Sequence, residues 1–288
     1  MSTRLFAVVT VAFGVVLGTQ AACQKEHAQG LMLVWNVPLD SQCNARPGGN
    51  IYNPYGVLDL ALTNQLWLFP EVKNVMPTIE EATGESITDG TIETNTVSIV
   101  SARVDFNLGM FDDGTALPFT YQFDGYTWPL STYVGPTGSI VLMVQAVTPE
   151  LGNFLDERMV EWVKRGFERP GAWITAYVSV EGLTQDRWPI QSNTFAYPIH
   201  VCWQCLIDCC SLVENPALDP AEELPCYPGQ DSSICDSRCM LVSHHWNDYL
   251  EAKRQQAKGE TFPWAVTDPE TALPKPLNPC SVCPAAVR

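Results

Sequence analysis

Apolar and polar positions along residues 31–201 follow strand-like patterns that predict a β-rich body. The clearest alternation runs through residues 96–108 and assigns Val100, Val104 and Phe106 to the core face. Shorter apolar or alternating runs predict further strands at residues 31–37, 57–62, 65–69, 119–123, 140–147, 173–180 and 194–201. About seven to nine strands at this loose spacing predict an antiparallel β-sandwich or jelly-roll-like body.

One helix is predicted between the strands, directly after Thr148. This residue is a suitable N-cap, and a proline and an acidic residue follow it. Leu155, Met159 and Val163 then recur every four residues, as on the buried face of an amphipathic helix. A proline-glycine pair at residues 170–171 is expected to end the helix. We expect this helix to cap one end of the sandwich.

The first 22 residues have the order of a bacterial signal peptide. Arg4 precedes an apolar run over residues 5–17, and small and polar residues follow that run. The run is too short to span a bilayer comfortably, and no later segment has the length and apolarity of a transmembrane helix. Residues 1–22 are therefore predicted to direct export and to be removed.

Cys23 stands directly after Ala21 and Ala22, in an arrangement that resembles the lipobox of bacterial lipoproteins. Gln20 stands where that family usually has an aliphatic residue. The resemblance implies that Cys23 is lipidated, with residues 23–30 as a tether. It implies a protein of the cell envelope that is attached to the membrane by this lipid, at the outer membrane or facing the periplasm. Cleavage after Ala21 would instead give a secreted chain.

Composition indicates a packed and strongly acidic protein. Hydrophobic residues make up 46% of the chain and include nine Trp, which favours a packed core over global disorder. Asp and Glu number 32 against 16 Lys and Arg, so the formal net charge is −16. Nucleic acids and anionic lipid surfaces are bound through clustered Lys and Arg. The charge therefore argues against both partners and is expected to serve solubility.

Cysteine usage changes abruptly at Cys202, where we place the boundary between the body and a tail of residues 202–288. Nine of the eleven cysteines lie in this tail, and a second helix is predicted at residues 237–258. An exported protein meets an oxidising compartment, and a proline-rich segment buries little apolar surface by itself. Structural disulfides are therefore the preferred interpretation.

Two other interpretations of the tail cysteines stay open. Cys202, Cys205, Cys280 and Cys283 form two CxxC pairs that could hold zinc as four thiolates. Cys202 and Cys205 could instead be a redox-active pair at the start of a helix, whose dipole lowers a thiol pKa.

Cysteine parity sharpens the disulfide prediction. The tail holds an odd number of cysteines, so complete pairing needs one partner outside it. Cys43 is that partner if Cys23 is lipidated, which predicts a bond between the body and the tail. The disulfide candidates are Cys43, Cys202, Cys205, Cys209, Cys210, Cys226, Cys235, Cys239, Cys280 and Cys283.

Searches for other chemistry assign no catalytic residue, metal ligand or cofactor. The sequence has no HExxH, GxSxG, GxxxxGK[ST] or GxGxxG pattern. His244 and His245 are adjacent in the second predicted helix and are interpreted as surface residues. Residues 112–114 are interpreted as a turn. Glycan stacking is an option for the aromatic residues Trp67, Tyr121, Tyr126 and Trp128.

Short motifs in the body and the tail resemble those of uncharacterised bacterial exported lipoproteins, which pair a β-rich body with a Cys-containing tail. They lie at residues 56–60, 64–65, 100–106, 202–206 and 226–231. The resemblance implies export but no activity. The sequence therefore predicts a non-enzymatic, lipid-anchored envelope protein with a structural or interaction role, whose partners are envelope proteins or glycans. The alternatives are an extracytoplasmic glycan- or ligand-binding module and, third, a periplasmic thiol-disulfide oxidoreductase.

Overall fold

The computed structural model describes residues 28–84, 93–111, 125–166, 170–208, 225–232, 234–235, 239, 242–260, 265–267, 274–276 and 278–280. Several predicted features lie outside them, namely the signal peptide, Cys23, the turn at 112–114, the strand at 119–123, Tyr121, Cys209, Cys210 and Cys283. The described residues are mostly strand with few helices, so the predicted mainly β class is confirmed. No helix among them is long and apolar enough to cross a membrane.

The body contains eleven of the described strands, and the tail contains four. The body strands are β1 (Ala28–Asn36), β2 (Gly56–Asp59), β3 (Leu66–Leu68), β4 (Pro70–Asn74), β5 (Val97–Phe111), β6 (Tyr126–Val134), β7 (Ser139–Val141), β8 (Val144–Val147), β9 (Gly171–Thr184), β10 (Pro189–Ser192) and β11 (Phe195–Cys202). The tail strands are β12 (Ile207–Asp208), β13 (Ile234–Cys235), β14 (Ala265–Thr267) and β15 (Pro274–Pro276). The described helices are α1 (Ile79–Thr83), α2 (Pro149–Lys164) and α3 (Trp246–Lys258).

Nine body strands form one sheet in which the long strand β9 lies at the centre. The order is β2-β11-β9-β10-β1-β4-β7, and β5 pairs with both β9 and β6. Most pairings are antiparallel, but β1 with β10 and β2 with β11 are parallel. The sheet is therefore mostly antiparallel, as predicted, with two parallel pairings that the sequence analysis did not predict. The arrangement of two facing sheets in a sandwich or jelly roll stays a prediction.

The apolar run at residues 140–147 forms two short strands instead of the single buried strand predicted. β7 pairs with β4 in the main sheet, whereas β8 pairs with β3 in a separate two-stranded sheet. The chain passes from one sheet to the other between the two strands. The apolar run is continuous because its two halves are covered in different sheets.

A β-bulge in β5 changes which positions of the strand are buried. The register shifts between Ile99 and Ser101 in the pairings with both β6 and β9. Ile99 is buried before the shift, and Ala102 and Val104 are buried after it. Val100, which was predicted on the core face, is 40% exposed. The prediction for Val100 is wrong because the extra residue of a bulge reverses the alternation of a strand.

Helix α2 begins as predicted and covers the core with its apolar face. The Thr148 side chain accepts a hydrogen bond from the Leu151 N–H, and Leu151 and Leu155 are buried. The helix ends at Lys164, before the predicted proline-glycine pair, because Gly166 adopts a φ of 91° that is incompatible with a continuing helix.

Residues of the tail pack on the body and complete its core. Trp203, Ile207, Cys239 and Cys280 are buried in the same hydrophobic cluster as the body strands. The residues assigned to the tail therefore share one core with residues 31–201.

Helix α3 is shorter than the predicted helix at residues 237–258. Residues 243–245 are not helical, so α3 begins at Trp246, and it ends before Gly259, whose φ is 75°. Tyr249 is buried, whereas Leu250 is 37% exposed.

Candidate functional site

A concavity lies where the tail meets the body, and we call it the junction groove. Residues 36–41, Asn53 and Phe69 of the body form one side, and residues 225–227 and 230–232 of the tail form the other. Its volume is about 490 Å³, which is in the range of small-molecule and side-chain binding sites.

A disulfide and hydrogen bonds from the tail fix the two sides of the groove to each other. Cys43 of the body is bonded to Cys226 of the tail, with their Cα atoms 5.5 Å apart. This bond agrees with the body-to-tail pairing expected from cysteine parity. The Trp67 N–H donates to Gln230 Oε1 at 2.8 Å, and the Val57 N–H donates to Asp231 Oδ1 at 2.6 Å.

The charged groups that line the groove are acidic. Its lining contains Asp40 and Asp231 but no Lys, Arg or His. A hydrogen bond from the backbone N–H of Asn44 holds the pKa of Asp40 below its usual value, and Arg46 Nε lies 3.6 Å from Asp40 Oδ2. Desolvation raises the pKa of the Asp231 carboxyl, although the residue as a whole is exposed. These carboxyl groups favour a ligand with positive charge or hydrogen-bond donors.

An aromatic pair gives the groove an apolar wall. Phe69 comes from the body and Tyr227 from the tail, and their ring centroids are 5.6 Å apart. A ligand that combines a donor group with an aliphatic or flat portion can therefore bury both parts here. Sequence reasoning did not find this site, because only the Cys43–Cys226 bond indicates which part of the tail lies beside residues 36–41.

The first CxxC segment forms a tight loop after β11. Cys202 is 1% exposed, Cys205 is half-buried, and their sulfurs are bonded to each other. The buried carboxylate of Asp59 organises the loop by accepting the N–H groups of Gln204 at 2.8 Å and Leu206 at 2.9 Å. The helix required by the thioredoxin-like interpretation is not there, because residues 203–206 form bends and β12 follows.

Cys280 of the second CxxC segment pairs with a cysteine elsewhere in the tail. Cys280 is bonded to Cys239, with Cα atoms 5.5 Å apart, and so does not join Cys202 and Cys205 as the four-thiolate interpretation requires. Cys235 lies in β13. Gln204 Nε2 nevertheless donates to the carbonyl of Pro279 at 2.8 Å, so the two CxxC segments are neighbours in the fold.

The three described residues of the set proposed for glycan stacking, Trp67, Tyr126 and Trp128, are not an open platform. Trp67 and Trp128 are half-buried and pack edge to face, with centroids 5.6 Å apart. Tyr126 is also half-buried. Two other rings are more accessible, since Tyr55 is 49% and Trp173 is 40% exposed, and their centroids are 5.8 Å apart.

The prediction that His244 and His245 are both surface residues is wrong for one of them. His244 is exposed, whereas His245 is 6% exposed and lies 3.0 Å from Asp156 of α2, measured from Nε2 to Oδ2. Burial raises the pKa of Asp156, and the contact with His245 acts in the opposite direction. This buried pair joins the tail to the capping helix.

No protein-family model matches the chain, and no curated protein matches its sequence.

Proposed function

We propose that the protein is an exported envelope protein, anchored by lipid on Cys23, with a structural or interaction role, and that the junction groove binds its partner. The export signal in residues 1–22 and the cysteine pairing support this compartment, because disulfides persist outside the cytoplasm. The main support for an interaction role is the junction groove.

The partner that fits the groove best is a positively charged segment of another envelope protein. Asp40 and Asp231 attract a cation, and the rings of Phe69 and Tyr227 accept the aliphatic stem of a Lys or Arg side chain. The formal net charge of −16 also speeds the approach of a basic partner. The protein then acts as a rigid docking body whose groove is fixed by the Cys43–Cys226 bond.

Calorimetric titration with the peptide acetyl-Lys-Lys-Lys-amide tests the groove. The Asp231→Asn variant keeps an acceptor for the Val57 N–H and removes one negative charge, so we expect it to fold and to bind roughly 5-fold more weakly. Glu157→Gln, on the exposed side of α2, makes the same change in net charge outside the groove and is the matched control. Equal weakening in both variants, or no binding by the unsubstituted protein, would contradict the proposal.

The anchor has a separate test. Detergent phase partition of cells that express the protein should place it in the detergent phase, and the Cys23→Ser variant in the aqueous phase, because two or three acyl chains give stable attachment. A Cys23→Ser variant that stays in the detergent phase would contradict lipidation at this residue.

Glycan binding is the second candidate, and the exposed rings of Tyr55 and Trp173 favour it. Paired aromatic faces are suited to stacking on sugar rings. Titration with chitotriose, compared between the unsubstituted protein and Trp173→Ala, distinguishes this role from peptide binding in the groove.

A further inference from the structure

His200, Cys202 and Cys205 bring three metal-ligating groups together beside the CxxC loop. His200 and Cys202 are two residues apart on β11, so their side chains leave the strand on the same side. The nearest ligand atoms of the three residues all lie within 4.8 Å of one another. Sulfur ligands of a tetrahedral zinc site lie roughly 3.8 Å apart, given Zn–S bonds of about 2.3 Å. In the structure the sulfurs of Cys202 and Cys205 are bonded to each other, so they have to separate by roughly 2 Å before they can bind zinc together.

A different neighbouring residue holds each of these three groups in place. The imidazole of His200 packs against Trp173 on the neighbouring strand β9, with ring centroids 4.9 Å apart. Cys202 Sγ lies 3.5 Å from the Leu58 carbonyl, and the Asp59 carboxylate fixes the loop that carries Cys205. Binding therefore needs the two sulfurs to separate after reduction, while His200 and the backbone of the loop are already held in position.

We propose that this cluster is a redox-gated site for Zn²⁺. In the structure the sulfurs of Cys202 and Cys205 are bonded to each other. A dithiol reductant transfers two electrons and two protons to this bond, which leaves two protein thiols and an oxidised reductant. Zn²⁺ then displaces both thiol protons and binds the two thiolates and the imidazole of His200. Three protein ligands leave a fourth position for water.

This ligand set differs from the four-thiolate set considered from the sequence. Cys280 is bonded to Cys239, and His200 takes a ligand position that no sequence motif marks. The His-x-Cys spacing at residues 200–202 indicates a shared side only once the segment is known to be a strand.

Site-resolved alkylation of the full chain tests the proposal. The protein is treated with graded dithiothreitol, with or without Zn²⁺, alkylated and mapped by mass spectrometry. We expect Cys205 to become reactive while the fold is retained, as seen by circular dichroism, and Zn²⁺ to protect it. We also expect the cobalt form to show sulfur-to-metal charge-transfer absorption.

The matched variants are His200→Gln and His244→Gln, since His244 lies outside the cluster. We expect His200→Gln to lower the affinity for Zn²⁺ by at least about 10-fold, measured by competition with a chromophoric chelator, and His244→Gln to leave it unchanged. Three results would overturn the proposal: no reduction of the Cys202–Cys205 bond in the folded protein, no protection of Cys205, or equal affinity in the two variants.

Discussion

At the residue scale, buried charged side chains decide how the tail is attached. Asp59 is 0% exposed, and its carboxylate accepts the N–H groups of Ala61, Gln204 and Leu206. It thereby joins the end of β2 to the CxxC loop. A buried carboxylate is favourable only with such hydrogen bonds, so its three donors explain why Asp59 can lie in the core. Nothing in the sequence distinguishes Asp59 from the exposed acidic residues.

We expect Asp59→Ala to lower the free energy of unfolding by about 3 kcal/mol, because it leaves one buried and two part-buried N–H donors without their acceptor. Urea unfolding followed by tryptophan fluorescence measures the change. Glu157→Ala, which removes an exposed carboxylate from α2, should change the stability by less than about 0.5 kcal/mol. Similar losses in the two variants would show that the hydrogen bonds of Asp59 contribute little.

The buried pair of Asp156 and His245 predicts a pH dependence of stability. The folded-state pKa of Asp156 is raised from its usual value of 3.8, chiefly by desolvation, with smaller contributions from Glu157 and Asp248. The folded protein therefore holds this proton more tightly than the unfolded chain does. Its contribution to stability is present below pH 3.8 and is lost as the pH rises through the raised pKa.

Asp156→Asn removes this titration and keeps a hydrogen-bond acceptor for His245. We expect the stability of the variant relative to the unsubstituted protein to increase as the pH rises from 3.8 through the raised pKa. Urea unfolding at a series of pH values measures the difference. Parallel stability curves for the two proteins would contradict the prediction.

At the scale of elements, the sequence predicts the existence of helices and strands better than their exposure. The N-cap of α2 at Thr148 and the burial of Leu155 and Met159 follow from local spacing, and the structure confirms both, whereas Val163 of the same pattern is half-buried. The bulge in β5 does not follow from local spacing, because it depends on the register against β6 and β9. Val100 is exposed for that reason.

Gly152 gives a test of how α2 packs. In an isolated helix, Gly→Ala stabilises by about 1 kcal/mol. Here a Cβ at residue 152 would overlap the backbone carbonyl of Asn64, which cannot move away as a flexible side chain could. We therefore expect Gly152→Ala to destabilise the protein by about 1–3 kcal/mol, measured by thermal and urea unfolding. Glu157→Ala on the same helix is the control, and an increase in stability of Gly152→Ala would contradict this packing.

At the scale of the whole molecule, the body and the tail are held together by covalent and apolar contacts. The Cys43–Cys226 bond spans 183 residues of sequence, and Trp203 of the tail is buried in the core. Parity predicts that Cys43 pairs with a tail cysteine, but it gives no means of choosing Cys226. The choice follows from the path of the chain, which brings residues 225–232 beside β2 and residues 36–41.

Removing the Cys43–Cys226 bond should lower the free energy of unfolding and increase local opening at the junction groove. We expect the double variant Cys43→Ala/Cys226→Ala to lose up to about 5 kcal/mol of stability, because the closed loop is long. Hydrogen exchange at the Trp67 N–H, which donates to Gln230, should accelerate. Cys239→Ala/Cys280→Ala, which opens a loop of 41 residues away from the groove, is the comparison. Unchanged exchange at Trp67 would show that the groove is held without the disulfide.

The sequence by itself determined the features that depend on neighbouring residues. Apolar alternation gave the mainly β class, and Thr148 and Gly259 marked helix ends by their local backbone preferences. Cysteine parity, with Cys23 taken as lipidated and every tail cysteine as paired, predicted a body-to-tail bond.

Only the tertiary structure decided which distant residues meet. The parallel pairings of the main sheet, the burial of Asp59 and His245 and the position of the junction groove all depend on contacts between segments far apart in sequence. The hydrophobic effect that drives burial is non-directional, so an apolar pattern shows that a segment is covered but not what covers it. Which segment covers it depends on the strand register, the β-bulges and the path of the chain.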